Sequence, residues 1–337
     1  MKKRYYEIDF CRGLGIILVV LGHALKQTGT LTAGMDVTLS VIYSFHMPLF
    51  FLLSGFTALK ILGLKDWKEK KEYLLGRACR LLVPYFVIGI LYIPVKIYMS
   101  KYAIKPYELS QCWRLLIGEN PNTALWFLYI LFLCSLVCML FLNMKNLNMV
   151  LAAAFVLSGA ACALGWEWRF PRYFFFFVLG IVLRSHYSQW KMKICRFEVF
   201  LAGLVMFGVS NYFYYRYDGL YFLVTAISGS LIVLIFSCAA VGGIASPVRE
   251  GTKEAGNESE PLWRRALLAA GRSSMEIYIF SEPVMTVVRL LVWNILGWGV
   301  AACTFLCFAC ALLLPVPACN LFVRNIALLR FLFLGER

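Results

Sequence analysis

Long apolar runs separated by short polar and mostly basic stretches dominate this 337-residue chain. A helix that crosses a membrane needs about 20 mostly apolar residues. Ten such runs can be marked, near residues 8–27, 38–60, 81–100, 123–143, 149–165, 170–185, 197–215, 220–243, 273–293 and 296–320. The fifth and sixth are short and divided by little more than Trp166 to Arg169. The pattern predicts an all-α integral membrane protein, a polytopic bundle of about ten transmembrane helices forming one domain over 1–337. Two connections stand apart. Residues 101–122, with Trp113, Leu115 and Leu116 among polar neighbours, suit an interfacial helix on the outer face. Residues 246–268 are expected to form a polar, mobile cytoplasmic loop.

Composition agrees with a bilayer as solvent: 61% of residues are apolar, 16% aromatic and only 15% charged. The net charge of +15 does not mark a nucleic-acid partner, because the basic residues fall in short clusters between apolar runs. With both termini placed in the cytoplasm, 23 Lys and Arg collect on the inner side and nine on the outer. That asymmetry is the topology signal expected of membrane proteins and fits an even number of spans. The opening MKKR resembles a signal peptide superficially, but Asp9 and Arg12 interrupt the approach and no small-residue cleavage site follows His23, so the segment is expected to be retained. The twelve cysteines lie mostly inside apolar runs and read as small buried hydrophobes. Cys307 and Cys310 form a C-x-x-C without a nearby histidine or second pair, so no metal site is expected.

Ionisable groups inside a membrane are expensive and mark functional candidates. The first run carries Asp9, Arg12 and His23. Eleven helical residues turn through about 1100° and rise roughly 16 Å, so Arg12 and His23 share one face at different depths. His46, on the returning second run, falls at a depth similar to His23, and Pro48 disturbs the helix beside it. Each group also has a plainer reading: Asp9 and Arg12 as an ion pair at the membrane edge, each histidine as a satisfied core residue.

These residues sit in stretches that resemble a known family. IDFCRGLGIILVVLGH (Ile8 to His23) is similar to the first motif of the acyltransferase 3 family of integral membrane acyltransferases. IYSFHMPLFFLLSGF (Ile42 to Phe56) resembles its second conserved stretch, especially in the branch related to fucose 4-O-acetylase. RACRLLVPYF (Arg77 to Phe86), LWFLYILF (Leu125 to Phe132) and RYFFFFVLG (Arg172 to Gly180) follow in the family's order. One departure falls in SSMEIYIFSEPV (Ser273 to Val284), where many relatives carry a histidine and this chain has Ser281, next to the carboxylate of Glu282.

The resemblance implies transfer of an acyl group, usually acetyl from cytoplasmic acetyl-CoA, to a hydroxyl on a carbohydrate or glycolipid of the cell envelope, by a multi-pass protein of a bacterial-type plasma membrane. On this reading Arg77, Arg80 and Arg12 hold the CoA phosphates. Neutral His23 takes the acceptor proton while His46 orients the acceptor or stabilises charge, a covalent acyl-histidine being the variant. Asp9, Trp126, Tyr129 and Glu282 are candidates for substrate contact, although Glu282 also reads as a partner of Arg289, and Trp126 and Tyr129 are two among 54 aromatics. Two other classes compete: a transporter or flippase of a glycolipid, against which no internal repeat is visible, and a membrane sensor that would need a partner protein.

Overall fold

The computed structural model describes residues 4–26, 32–99, 107–217, 219–242 and 261–336, and among these there are helices and no strands. In chain order the helices are α1 (Tyr6–Lys26), α2 (Ala33–Thr57), α3 (Trp67–Met99), α4 (Trp126–Phe141), α5 (Leu147–Ala163), α6 (Arg169–Ser185), α7 (Tyr187–Ile194), α8 (Phe197–Tyr217), α9 (Tyr221–Val241), α10 (Leu262–Arg272), α11 (Ser274–Arg289), α12 (Val300–Leu313), α13 (Pro315–Ala318) and α14 (Ala327–Leu334). Each of the ten expected runs falls on a helix. Seven helical segments among the described residues are long and apolar enough to cross a membrane. The remaining runs are α5, which is apolar but short, α6, and α11, which carries Glu276, Glu282 and Arg289.

Boundaries differ from the sequence expectation where polar residues continue a helix. α3 begins at Trp67 rather than near residue 81, because the basic stretch before it extends the same helix into polar surroundings. The stretch expected as a loop over 246–268 lies outside the described residues up to position 260, and from Leu262 onward it is α10, an amphipathic helix packed on α1. Of the expected interfacial segment 101–122, residues 101–106 lie outside the described residues. Leu109–Ile117 form a short 3-10 helix that exposes Trp113 and Leu116 and buries Leu115. This segment is stapled to α3 by Tyr85, whose hydroxyl donates to the Leu115 carbonyl at 2.9 Å, and by Asn120, whose amide donates to the Tyr85 carbonyl at 2.9 Å. Irregular backbone is tolerated at membrane depth when it is bonded and buried in protein in this way.

Two close crossings set the positions of α1 and α2. Where α2 meets α6, a Cβ at Gly55 or Gly180 would overlap the backbone of the other helix, at Phe177 and Leu52 respectively. Small residues let helix backbones touch where apolar burial gives little drive because the solvent is itself lipid. Gly13 and Gly271 allow the same approach between α1 and α10. Pro48 in α2 and Pro283 in α11 each remove one helical hydrogen bond, next to His46 and Glu282 respectively. The first and last described residues lie at one end of the bundle: Arg4 pairs with Asp9 at 2.9 Å, while Glu336 lies 3.9 Å from Arg80, which lines the same cavity as Arg12.

Candidate active site

A cavity of about 160 Å³ opens at the end that carries the termini, and it is lined there by Arg12 of α1, Arg77 and Arg80 of α3, and Arg272 at the end of α10. Four guanidinium groups meet few acids: Arg12 lies 3.9 Å from Asp9, and Arg80 the same distance from Glu336. The Arg77 Nε is buried without a hydrogen-bond partner. Such a cluster can hold an anion with several phosphates through charge-assisted hydrogen bonds.

From this basic end the lining becomes apolar, and three helices contribute stripes with helical spacing. α2 contributes Thr57, Ser54, Phe50 and Met47; α1 contributes Arg12 and Val19; α11 contributes Ser274, Met275 and Tyr278. One further turn along each stripe brings Tyr43, His23 and Glu282 onto the same faces. They meet there. His23 Nδ1 lies 3.9 Å from Glu282 Oε2, an ion-pair separation longer than a hydrogen bond. The Tyr43 ring stands edge-on between the two histidines, its centroid 6.5 Å from that of His23 and 4.9 Å from that of His46.

Sequence reasoning placed His23 and His46 at matched depth, and Tyr43 is the residue that spans between them. His46 is 3% exposed, and its Nδ1 lies 2.7 Å from the Ile42 carbonyl, so Nδ1 carries the proton and donates within the helix. Arg12, Arg77 and Arg80 are brought together. Glu282, by contrast, faces His23. Asp9 does not line the cavity. It is buried between Arg4 and Arg12. Arg272, Ser54 and Thr57 were not singled out by sequence, although the spacing of residues 43, 47, 50, 54 and 57 is that of one helical face.

A second and wider concavity of about 870 Å³ opens at the opposite end, lined by polar and charged residues including Gln111, Asn120, Thr123 and Glu167 together with Trp168, Arg169 and Trp126. The Arg169 guanidinium lies 4.5 Å over the Trp126 ring. Tyr129 is turned elsewhere: its hydroxyl donates to the Leu116 carbonyl at 3.1 Å and holds the 3-10 segment. The first turns of α4 divide the two cavities. Trp126 and Ile130 face the wide one, Phe127 and Leu131 the arginine-lined one.

Comparison with curated proteins and with solved structures gives no match. The model of the Acyl_transf_3 family, described as an acyltransferase domain, matches residues 5–316. That stretch includes the residues of the arginine cavity, the His23–Glu282 pair and the α4 partition, and the protein belongs to this family as a membrane acyltransferase.

Proposed function

We propose that this acyltransferase moves an acetyl group from acetyl-CoA to a hydroxyl of a cell-envelope carbohydrate or glycolipid, with His23 as general base. The observation that carries the reading is the convergence of three helix stripes, which lead from four arginines at the cavity mouth to the His23–Glu282 pair. The rise of roughly 16 Å between Arg12 and His23 suits the extended arm between the phosphates of CoA and its thioester. The excess of Lys and Arg expected on the cytoplasmic side supports an inward-facing arginine cavity, on the side from which acetyl-CoA would enter on this reading. In the wide cavity, aromatic faces among amides, hydroxyls and carboxylates match a sugar, whose rings present both C–H faces and hydroxyl edges. The resemblance to the fucose 4-O-acetylase branch favours the same acceptor class, and such an acceptor belongs to a bacterial-type plasma membrane.

His23 can act with Nδ1 toward Glu282 and Nε2 toward the acceptor. Nε2 takes the hydroxyl proton as the acceptor oxygen attacks the thioester carbon. Collapse of the tetrahedral intermediate breaks the C–S bond, and the proton passes from His23 to the departing thiolate. General acid–base catalysis of this kind contributes about 10²–10⁴-fold in rate.

The test is purified protein in lipid vesicles with acetyl-CoA and envelope glycans, following free CoA by chromatography and acetylated glycan by mass. His23→Ala is expected to keep the folded protein and its CoA binding and to lose both products. Substantial remaining turnover would sink the assignment of the base. Movement of glycolipid across the vesicle without CoA release would instead favour the flippase reading.

A further inference from the structure

A hydroxyl at the reacting centre has no partner. The Tyr43 hydroxyl is buried and makes no hydrogen bond, although its ring lies against both His23 and His46. Leaving a phenol O–H buried and unbonded is costly, and phenylalanine would fill the same space without that cost. Several hydroxyls of α3 and α11 are engaged. Tyr278 donates to the Ala124 carbonyl, Ser281 to the Tyr278 carbonyl at 3.2 Å, and Tyr92 and Thr286 bond each other at 2.9 Å.

The ring is also held in place. His46 stands edge-on to it at 81° and is itself fixed by the bond to Ile42, while Lys26 Nζ lies 5.6 Å over the ring face. On α1, the residue before His23 is Gly22, and a Cβ there would come within 3.1 Å of Tyr43 Cε2. The absence of a side chain at Gly22 therefore seats the phenol beside the base.

We infer that Tyr43 is a catalytic residue that donates a hydrogen bond to the thioester oxygen as it becomes an oxyanion, with His46 and Gly22 as positioning residues for its ring. This rests on the reading of His23 as the base. The balance is simple. As the acceptor oxygen bonds to the carbonyl carbon, the C=O π pair moves onto oxygen, where the Tyr43 O–H meets it. Collapse restores C=O, the C–S pair leaves with sulfur, and Tyr43 keeps its proton throughout. A preorganised donor that is unbonded in the resting site needs no rearrangement when the charge develops.

Tyr43→Phe removes one oxygen and no carbon. With acetyl-CoA and envelope glycan as substrates, kcat should fall about 10²–10³-fold, as for loss of one oxyanion donor, while KM for acetyl-CoA stays within about twofold. A kcat within about threefold of the parent, or a raised KM with kcat unchanged, would overturn the inference. Gly22→Ala supplies a second variant, pressing on the ring without touching its hydroxyl: kcat should drop about tenfold. In the Tyr43→Phe background the same change should add nothing, and an equal drop in both backgrounds counts against the inference. Failure here is separable from failure of the base assignment: loss of turnover in His23→Ala beside normal turnover in Tyr43→Phe removes only the oxyanion donor, whereas an active His23→Ala removes the base.

Discussion

With His23 as the proposed base, the Glu282 carboxylate 3.9 Å from its Nδ1 would set which imidazole nitrogen faces the substrate. In serine proteases, replacing the acid that orients the histidine by its amide lowers kcat by about 10⁴-fold, because the wrong tautomer is favoured. The longer separation here gives a looser hold, so Glu282→Gln is expected to lower kcat by about 10- to 10³-fold with KM for acetyl-CoA unchanged, as steady-state kinetics would measure. A change confined to KM would make Glu282 a substrate contact instead. Arg12, His23 and Glu282 were legible in the sequence because an ionisable residue in an apolar run is conspicuous. Tyr43 was not, since one tyrosine among 18 in a chain this aromatic carries no signal until its hydroxyl is seen to lack a partner. Arg272 was hidden for the opposite reason, being one more basic residue in a basic stretch. Two partners for Glu282 were open in the sequence, Arg289 two turns on along the same helix and a group on another helix, and the structure brings His23 of α1 within 3.9 Å of its carboxylate.

Among elements, α2 contributes most to the proposed site, since it carries Tyr43, His46 and the Ser54–Thr57 edge of the cavity. Its seat is the crossing with α6, where backbone meets backbone at Gly55 and Gly180. Gly180→Leu should force the helices apart at a cost of about 1–3 kcal/mol. The expected outcome is a lower thermal unfolding temperature in detergent together with reduced turnover; unchanged unfolding would mean that the crossing yields without strain. Helix existence was readable from apolar runs, since every run became a helix. Helix ends were not, because α3 extends its basic end from Trp67 on polar residues that hydropathy alone assigns to a connection. α10 escaped for a related reason: it is amphipathic, short and rich in arginine, and only its packing on α1 through Gly13 and Gly271 explains its place beside Arg12.

For the molecule as a whole, the informative feature is the partition made by the first turns of α4, with Trp126 and Ile130 on one side and Phe127 and Leu131 on the other. On the proposed function it would let donor and acceptor occupy separate vestibules, and nothing in the spacing of apolar residues could have announced it, because all four are simply hydrophobic positions of one helix. If the two substrates enter from opposite sides, the acetyl group leaves the cytoplasmic thiolate for an outer oxygen while the proton of that hydroxyl travels inward to the thiolate. In formal charge, an acylium equivalent moves out as a proton moves in, so each turnover carries no net current. A charge crossing alone would feel about 2.3 kcal/mol per 100 mV of membrane potential, whereas this exchange should feel none. Vesicles given a potassium gradient and an ionophore should therefore acetylate at the same rate whether the potential is negative, positive or collapsed. A steep dependence on voltage would mean that the proton leaves by the side from which it came, and that the wall of α4 separates the substrates but not their charges.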